Sequence, residues 1–314
     1  MHPRLWSAAA IAAPPRNASR TLWALALAAG LLVAFQIVAP APAAAALPGA
    51  VARSAQSPFD SERAKTIEAT CPPGKRVTGG SGRVTGITSH VVLTRMQPRH
   101  TNNPNVPDSY VVTAIEDETA PDGQWAVTAY ALCSDPLPGQ TIVISRSPTD
   151  SGNSEREIAD CPAGRRAIGS GVRINGGGGQ VHVTEMTMGA FANGRTSSFV
   201  TARENNDGFG GDWSLDAFAV CATIAPERQV YLSSFAPEPG SADRKVANVT
   251  CPAGMTITGG GAEIGASTGS VVMERILPEF LVGGFPGDEY TAVAREEIPN
   301  DDFWSLRVVA SCVA

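Results

Sequence analysis

Aromatic side chains are scarce in this chain, 6% of its residues, and histidine is scarcer, with only His2, His90, His100 and His182. None of the four forms an H-x-x-x-H pair or stands at zinc spacing from a cysteine, so no metal-ligating set and no cofactor is expected. No cluster of lysines and arginines is interleaved with aromatics. Residues 1–46 hold three arginines and no acidic residue, so a formal charge of −6 for the whole chain leaves −9 on the remainder. An acidic body without a basic stripe is a poor partner for nucleic acid or for an anionic membrane surface. No G-K-[ST] follows any glycine cluster, which excludes a P-loop phosphate cradle. What the chain does have is 32 glycines and 24 prolines. That composition suits many short strands and turns rather than long helices.

At 314 residues there is room for two or three ordinary domains. Near the start, Arg4, Arg16 and Arg20 precede the apolar run LWALALAAGLLVAFQIVA, which is followed by Pro40, Pro42 and four alanines. A basic flank, an apolar core and a small-residue exit read as a secretory signal peptide over residues 1–46. The run is nearly long enough to span a bilayer, so the rival is an uncleaved N-terminal anchor with the body outside. The expected location is secreted, with membrane contact only through that segment.

The most informative pattern is a threefold repeat. First cysteines fall at Cys71, Cys161 and Cys251, and second cysteines at Cys133, Cys221 and Cys312. A tryptophan, Trp125, Trp213 or Trp304, stands eight residues before each second cysteine, in WAVTAYALC, WSLDAFAVC and WSLRVVASC. The units cover residues 50–136, 141–224 and 229–314, joined by short proline-containing connectors. Read at period two, each tryptophan–cysteine segment is a strand, with Trp125, Val127, Ala129, Ala131 and Cys133 on one face. Other strand-like segments recur in order, five or six per unit.

Each first cysteine opens a CP-x-G turn followed by glycines: Gly79 and Gly80, Gly169 and Gly171, Gly259 to Gly261. Proline at i+1 and Gly74, Gly164 or Gly254 at i+3 read as a β-turn. The later glycines read as a bulge, or as bare backbone under a large ring, with the repeated tryptophan as the ring expected. A reactive cysteine is rarely needed three times at equal intervals, so the six read as structural. Two connectivities fit the repeat. Pairing within units gives Cys71–Cys133, Cys161–Cys221 and Cys251–Cys312; the cyclic rival gives Cys133–Cys161, Cys221–Cys251 and Cys71–Cys312. The first is preferred and fits three modules with their own cores, each bridge contributing roughly 4 kcal/mol. The second fits a closed three-sheet prism.

Gly265-Ala-Ser267-Thr-Gly269 matches G-x-S-x-G, but SVVMERIL after it reads as a strand where a nucleophile elbow needs a helix. His182 stands where Val92 and Val272 stand in the sister units and reads as an ordinary strand residue. The loops before the tryptophans, EDETAPDGQW, ENNDGFGGDW and EEIPNDDFW, open on Glu116, Glu204 and Glu296. Their acids and amides are of the kind that binds Ca²⁺, and equally of the kind that a strand-joining turn prefers.

The combination CP-x-G-x4-G[GS][SG], V-T-A-x-E-like strands and W-[AS]-[VL]-x5-C resembles the repeat of secreted three-repeat proteins of actinomycete type, over residues 50–314. That resemblance implies no established activity, so no functional residue transfers. The CP-x-G turn also resembles that of vitelline membrane outer layer proteins, which implies a threefold β-prism; their repeats are shorter and their glycine–aspartate pattern is not matched.

The reading is therefore all-β: three tandem β-sandwich-like repeats of about 90 residues, each with one disulfide, with a single threefold β-prism as the alternative. Function is expected to be non-catalytic binding of an extracellular ligand, a glycan or cell-wall polymer, through three equivalent surfaces. The alternatives are a structural matrix or envelope component and, third, a secreted hydrolase using paired carboxylates. No catalytic residue is assigned.

Overall fold

Alternating Val, Ile, Thr and Ala between glycine and proline turns produce strands throughout. A computed structural model describes residues 47–88, 90–101, 106–119, 122–238, 240–266, 269–281, 285–297 and 303–314. The N-terminal segment 1–46 and Ser267 lie outside them. Repeat 1 forms β1 (Val51–Gln56), β2 (Ala64–Thr70), β3 (Arg76–Gly86), β4 (Val91–Arg99), β5 (Ser109–Glu116) and β6 (Trp125–Ser134). Repeat 2 forms β7 (Thr141–Arg146), β8 (Ser154–Asp160), β9 (Arg166–Asn175), β10 (Val181–Ala190), β11 (Thr196–Glu204) and β12 (Ser214–Ala222). After a short 3₁₀ turn at Pro226–Arg228, repeat 3 forms β13 (Gln229–Phe235), β14 (Arg244–Thr250), β15 (Thr256–Gly265), β16 (Val271–Leu281), β17 (Phe285–Glu296) and β18 (Ser305–Val313).

The eighteen strands make three six-stranded antiparallel sheets, ordered β1-β6-β3-β16-β17-β14, β7-β12-β9-β4-β5-β2 and β13-β18-β15-β10-β11-β8. Each sheet takes its first, sixth and third strands from one repeat and its fourth, fifth and second strands from another. A repeat is thus sandwich-like, two three-stranded half-sheets, but neither half is complete without a neighbour. Separate modules give way to the threefold alternative, with one buried cluster running through all three repeats. The ring closes where β3 of repeat 1 meets β16 of repeat 3.

The disulfides are Cys71–Cys133, Cys161–Cys221 and Cys251–Cys312, with Cα–Cα distances of 5.9, 5.7 and 5.8 Å. Pairing within repeats does not isolate the cores, because each bridge joins the end of a repeat's second strand to its sixth strand. Those two strands belong to different sheets. Every pair of sheets is therefore clipped once.

The tryptophan–cysteine strands bury the expected face: Trp125, Val127, Ala129, Ala131 and Cys133, and their counterparts from Trp213 to Cys221 and from Trp304 to Cys312. Two details of the glycine motif differ from expectation. The turn starts one residue later, with Lys75 N–H donating to Pro72 O at 3.1 Å. Gly74, at φ 81°, then occupies i+2, the position where a type II turn needs positive φ. The large ring against glycine is a tyrosine, not the tryptophan: Tyr110 lies on Gly80 and Tyr290 on Gly260. Three of the other glycines, Gly79, Gly169 and Gly259, meet one another. A Cβ on Gly79 would stand 2.8 Å from Gly259 Cα, one on Gly259 2.8 Å from Gly169 Cα, and one on Gly169 3.0 Å from Gly79 Cα. Three bare backbones at bulges in β3, β9 and β15 thus form the pseudo-threefold axis.

Candidate functional site

The loops before the tryptophans are built first by the indoles. Trp125 Nε1 donates to Glu116 Oε1 at 2.6 Å, Trp304 Nε1 to Glu296 Oε1 at 3.0 Å, and Trp213 Nε1 to Glu204 Oε1 at 3.3 Å and Gly152 O at 2.9 Å. In repeats 1 and 3 a buried lysine lies against the ring, Lys65 at 4.5 Å and Lys245 at 4.6 Å from the centroids. Lys65 Nζ also donates to the carbonyls of Trp125 (2.5 Å) and Asp60 (2.8 Å), and Lys245 Nζ to those of Trp304 and Gly240 (both 2.6 Å). A desolvated cation on an indole is well held. The conspicuous glutamates are thus structural hydrogen-bond acceptors.

The next residue in each loop is the chemically perturbed one. Asp117, Asn205 and Glu297 are repeat-related: their amides donate to His90 O, Gln180 O and Ser270 O at 2.9, 2.7 and 2.7 Å. His90, Asp117 and Glu297 offer one ligand-type atom each, all within 4.8 Å of one another. These are residue types that can hold a divalent cation. In the protein described here they hold each other: His90 Nδ1 is 2.9 Å from Asp117 Oδ2 and 3.0 Å from Thr119 Oγ1, and Thr119 N–H donates to Asp117 Oδ1 at 2.7 Å. Burial pushes the Glu297 carboxyl up to about 8, helped by its hydrogen bond to Asp117 and by the charges of Asp117, Glu118 and Asp207. Burial also raises Asp117, but hydrogen bonds from Glu297, His90 and Thr119 outweigh it and hold that carboxyl below its ordinary value. The two carboxyls titrate as a coupled pair, Glu297 displaced upwards and Asp117 downwards. Sequence reading missed this cluster because it joins repeat 1 to repeat 3; the only signal is the equivalence of Asp117, Asn205 and Glu297 after the indole glutamates.

His182 is fully buried, neither ring nitrogen has a partner, and burial lowers it to about 4, so it is a neutral strand residue. Ser267 of the G-x-S-x-G match lies outside the described residues, and β16 follows it as a strand.

The outward faces of the sheets are the broadest surfaces, and in-register neighbours form a row across each. On the sheet ending in β1 and β14 the row is Gln56, Thr128, Arg83, Arg275, Val293 and Val246. On the sheet ending in β7 and β2 it is Arg146, Asp216, Arg173, Arg95, Thr113 and Thr66. On the third it is Phe235, Arg307, Glu263, Glu185, Thr201 and Arg156. The two central members always come from different repeats, so the like-charged pairs Arg83–Arg275, Arg173–Arg95 and Glu263–Glu185 mark the three junctions. The faces are therefore not equivalent. Fully buried Asp216 takes Arg146 (2.5 Å) and Arg173 (2.5 Å) on the second face. On the third, Arg307 pairs with Glu263 at 2.6 Å and Arg156 approaches Glu185 at 3.9 Å.

Among known proteins, no protein-family model matches the chain. A 65-residue stretch, 21% of this chain, is 38% identical to part of Shufflon protein B' of Escherichia coli; the match spans 13% of that protein's length, and the similarity is to that segment alone.

Proposed function

We propose that the chain is exported and acts as a non-catalytic extracellular or cell-envelope binding protein, taking a glycan or cell-wall polymer on the outer faces of its sheets. The observation that carries this reading is the set of three broad six-stranded faces, fixed to one another by a disulfide between every pair of sheets. Faces held at fixed angles allow several weak contacts to add by avidity without any deep pocket. Three structural disulfides fit an oxidising compartment. Among the described residues no helix is long and apolar enough to cross a membrane. The basic, apolar and small-residue segment at 1–46 supports export.

The carboxylate pair favours binding over hydrolysis. Asp117 and Glu297 share a hydrogen bond, whereas retaining glycosidases keep their two carboxyls about 5–5.5 Å apart and inverting ones farther. The test is retention of the full-length, exported protein on purified peptidoglycan, cell-wall polysaccharides and a glycan array. Binding to one polymer class with fast exchange and no product release is expected. Retention on none of them would replace this reading with that of a matrix component lacking a discrete ligand.

A further inference from the structure

Of the three junctions between repeats, one has no ion pair, among the described residues, on either of its two central residues. Arg83 on β3 and Arg275 on β16 stand directly opposite each other where the ring closes. Like charges in that relation destabilise a sheet. Neither has an ion-pair partner among the described residues, and Arg275 Nε is buried without an acceptor. The nearby Glu274 is taken by Arg244 at 3.1 Å. Arg295, also on this face, donates Nη1 to Thr88 Oγ1 at 2.7 Å and leaves its own buried Nε without an acceptor. Burial, with Arg83 and Arg244 against the opposing pull of Glu274, makes the Arg275 guanidinium easier to deprotonate than usual, as a cation lacking its counter-ion should be. The other two junctions each contain at least one ion pair from within the chain, although burial and the charges of Arg173 and Arg99 also make Arg95 easier to deprotonate, and Arg307 Nε is likewise buried without an acceptor. Asp216 neutralises Arg173 and Arg95 donates to Gln97 Oε1 at 2.7 Å on one, while Arg307 and Arg156 face the two glutamates on the other.

We propose that the face carrying Arg83, Arg275 and Arg295 binds the carboxylates of an acidic polysaccharide, which supply the anions this junction lacks. The inference rests on the glycan-binding reading above and narrows it to one face and one ligand class. Guanidinium groups match carboxylates bidentately. Half-buried Tyr130 stands close enough to influence Arg275, and the row ends on exposed Gln56, a polar group for sugar hydroxyls. Nucleic acid fits poorly, because its charges recur about every 1.7 Å along the duplex axis. A body of net charge −9 outside residues 1–46 repels such a ligand over most of its surface. A polyuronate carries one carboxylate per sugar, a lower charge density than the duplex, and meets less of that penalty.

The test titrates the full-length exported protein with oligogalacturonate, with a chito-oligosaccharide of equal length, and with inorganic phosphate. Oligogalacturonate is expected to bind and to weaken as salt rises. Arg83→Gln and Arg275→Gln should each reduce affinity at least about tenfold, following the 1.5–3 kcal/mol typical of a hydrogen bond to a charged group. Arg307→Gln should leave it unchanged. Without ligand, Arg83→Gln should raise the melting temperature, since it removes the like-charge pair, so a folding defect cannot mimic the result. Oligogalacturonate affinity that survives in both junction variants would overturn the proposal. So would phosphate binding as tightly as the uronate, which would mark a general anion site. If only the neutral oligosaccharide binds, this inference fails and the glycan-binding reading stands; if no saccharide binds, both fail.

Discussion

Repeats 1 and 3 solve their packing one way and the middle repeat another. In the outer two, a tyrosine ring lies on a glycine, Tyr110 on Gly80 and Tyr290 on Gly260. The middle repeat has Ser198 and Ser170 at those places. A large and an absent side chain have been exchanged together for two small ones, which avoids a clash at the glycine position while filling less volume. The hydrogen bonds towards the next repeat survive the exchange. Tyr110 Oη donates to Ser170 O at 3.1 Å, Ser170 Oγ to Gly260 O at 3.0 Å, and Tyr290 Oη to Gly80 O at 3.2 Å, a buried ring linking repeat 1 to 2, 2 to 3 and 3 to 1. Two other differences carry no such compensation. Glu155 stands where Lys65 and Lys245 support an indole, and burial, with the charge of Asp150, raises its carboxyl. His182 stands where the others have Val92 and Val272. Symmetry of fold thus constrains the axis strictly and the indole cradle loosely, and through His182 the middle repeat should be the weak one below neutral pH.

The largest effect belongs where the repeats do not differ at all. A Cβ on Gly79 would sit 2.5 Å from Thr258 O and 2.8 Å from Gly259 Cα, backbone on both counts, so relief requires the repeats to part. Gly79→Ala should destabilise by more than about 4 kcal/mol or prevent folding. Gly254→Ala, at φ 83° but facing open space, should cost only about 1 kcal/mol. Urea unfolding of the two variants decides it; similar midpoints would mean that the axis is not close-packed.

The paired exchange can be imposed on repeat 1. Gly80→Ser alone drives a side chain into the Tyr110 ring, and Tyr110→Ser alone leaves a cavity of the kind that costs about 3–5 kcal/mol. Combining them recreates the middle repeat's solution, so the double variant should be more stable than the sum of the singles by roughly 1–3 kcal/mol. Strict additivity in the cycle would show that the two exchanges are unrelated.

Much of this was legible in the sequence, and the rest was not, for a physical reason. Strand faces follow from period-two alternation, which is local, and equal spacing narrows the disulfides to two connectivities, of which the preferred within-repeat one is found. Sharing of the sheets is not local, because β3 and β16 lie almost two hundred residues apart and meet at a single registered pair, Arg83 and Arg275. The arginine row and the His90–Asp117–Glu297 cluster exist only once that junction is known. The indole glutamates were visible as clustered acids but ambiguous in role, since composition does not show which way a carboxylate points.

His182 gives the middle repeat a pH dependence that its neighbours lack. Burial lowers the imidazole from 6.5 to about 4, so below 6.5 the unfolded chain takes a proton that the native state refuses. Stability is intact above pH 6.5 and is lost progressively as pH falls towards 4, by about 3 kcal/mol in all. His182→Val should flatten the acid limb of the melting-temperature profile and leave repeats 1 and 3 as the reference. An unchanged limb would assign the acid sensitivity to other groups.

Glu297 acts in the opposite direction at the junction of repeats 1 and 3. Its carboxyl, raised to about 8, keeps a proton that the unfolded chain has released above 4.5, so its contribution is complete below 4.5 and fades as pH climbs through 8. Glu297→Gln keeps a neutral donor beside Asp117 and cannot ionise. Its melting temperature should hold between pH 6 and about 9 while that of the parent declines. Parallel profiles would mean that the Glu297 carboxyl is not displaced upwards.

The smallest effect concerns the indole glutamates, where the three repeats again agree. Glu116, Glu204 and Glu296 each accept a hydrogen bond from a buried indole, and binding Ca²⁺ through them would strand that donor. A site with a dissociation constant of about 10 μM would add roughly 4 kcal/mol at about 10 mM calcium, an easily measured rise in melting temperature. No such rise is expected at these loops, with a chelator control run alongside. A rise that disappears in Glu116→Gln would show that the carboxylate prefers the ion to the indole, and that the loop is held less firmly than the short Trp125–Glu116 bond implies.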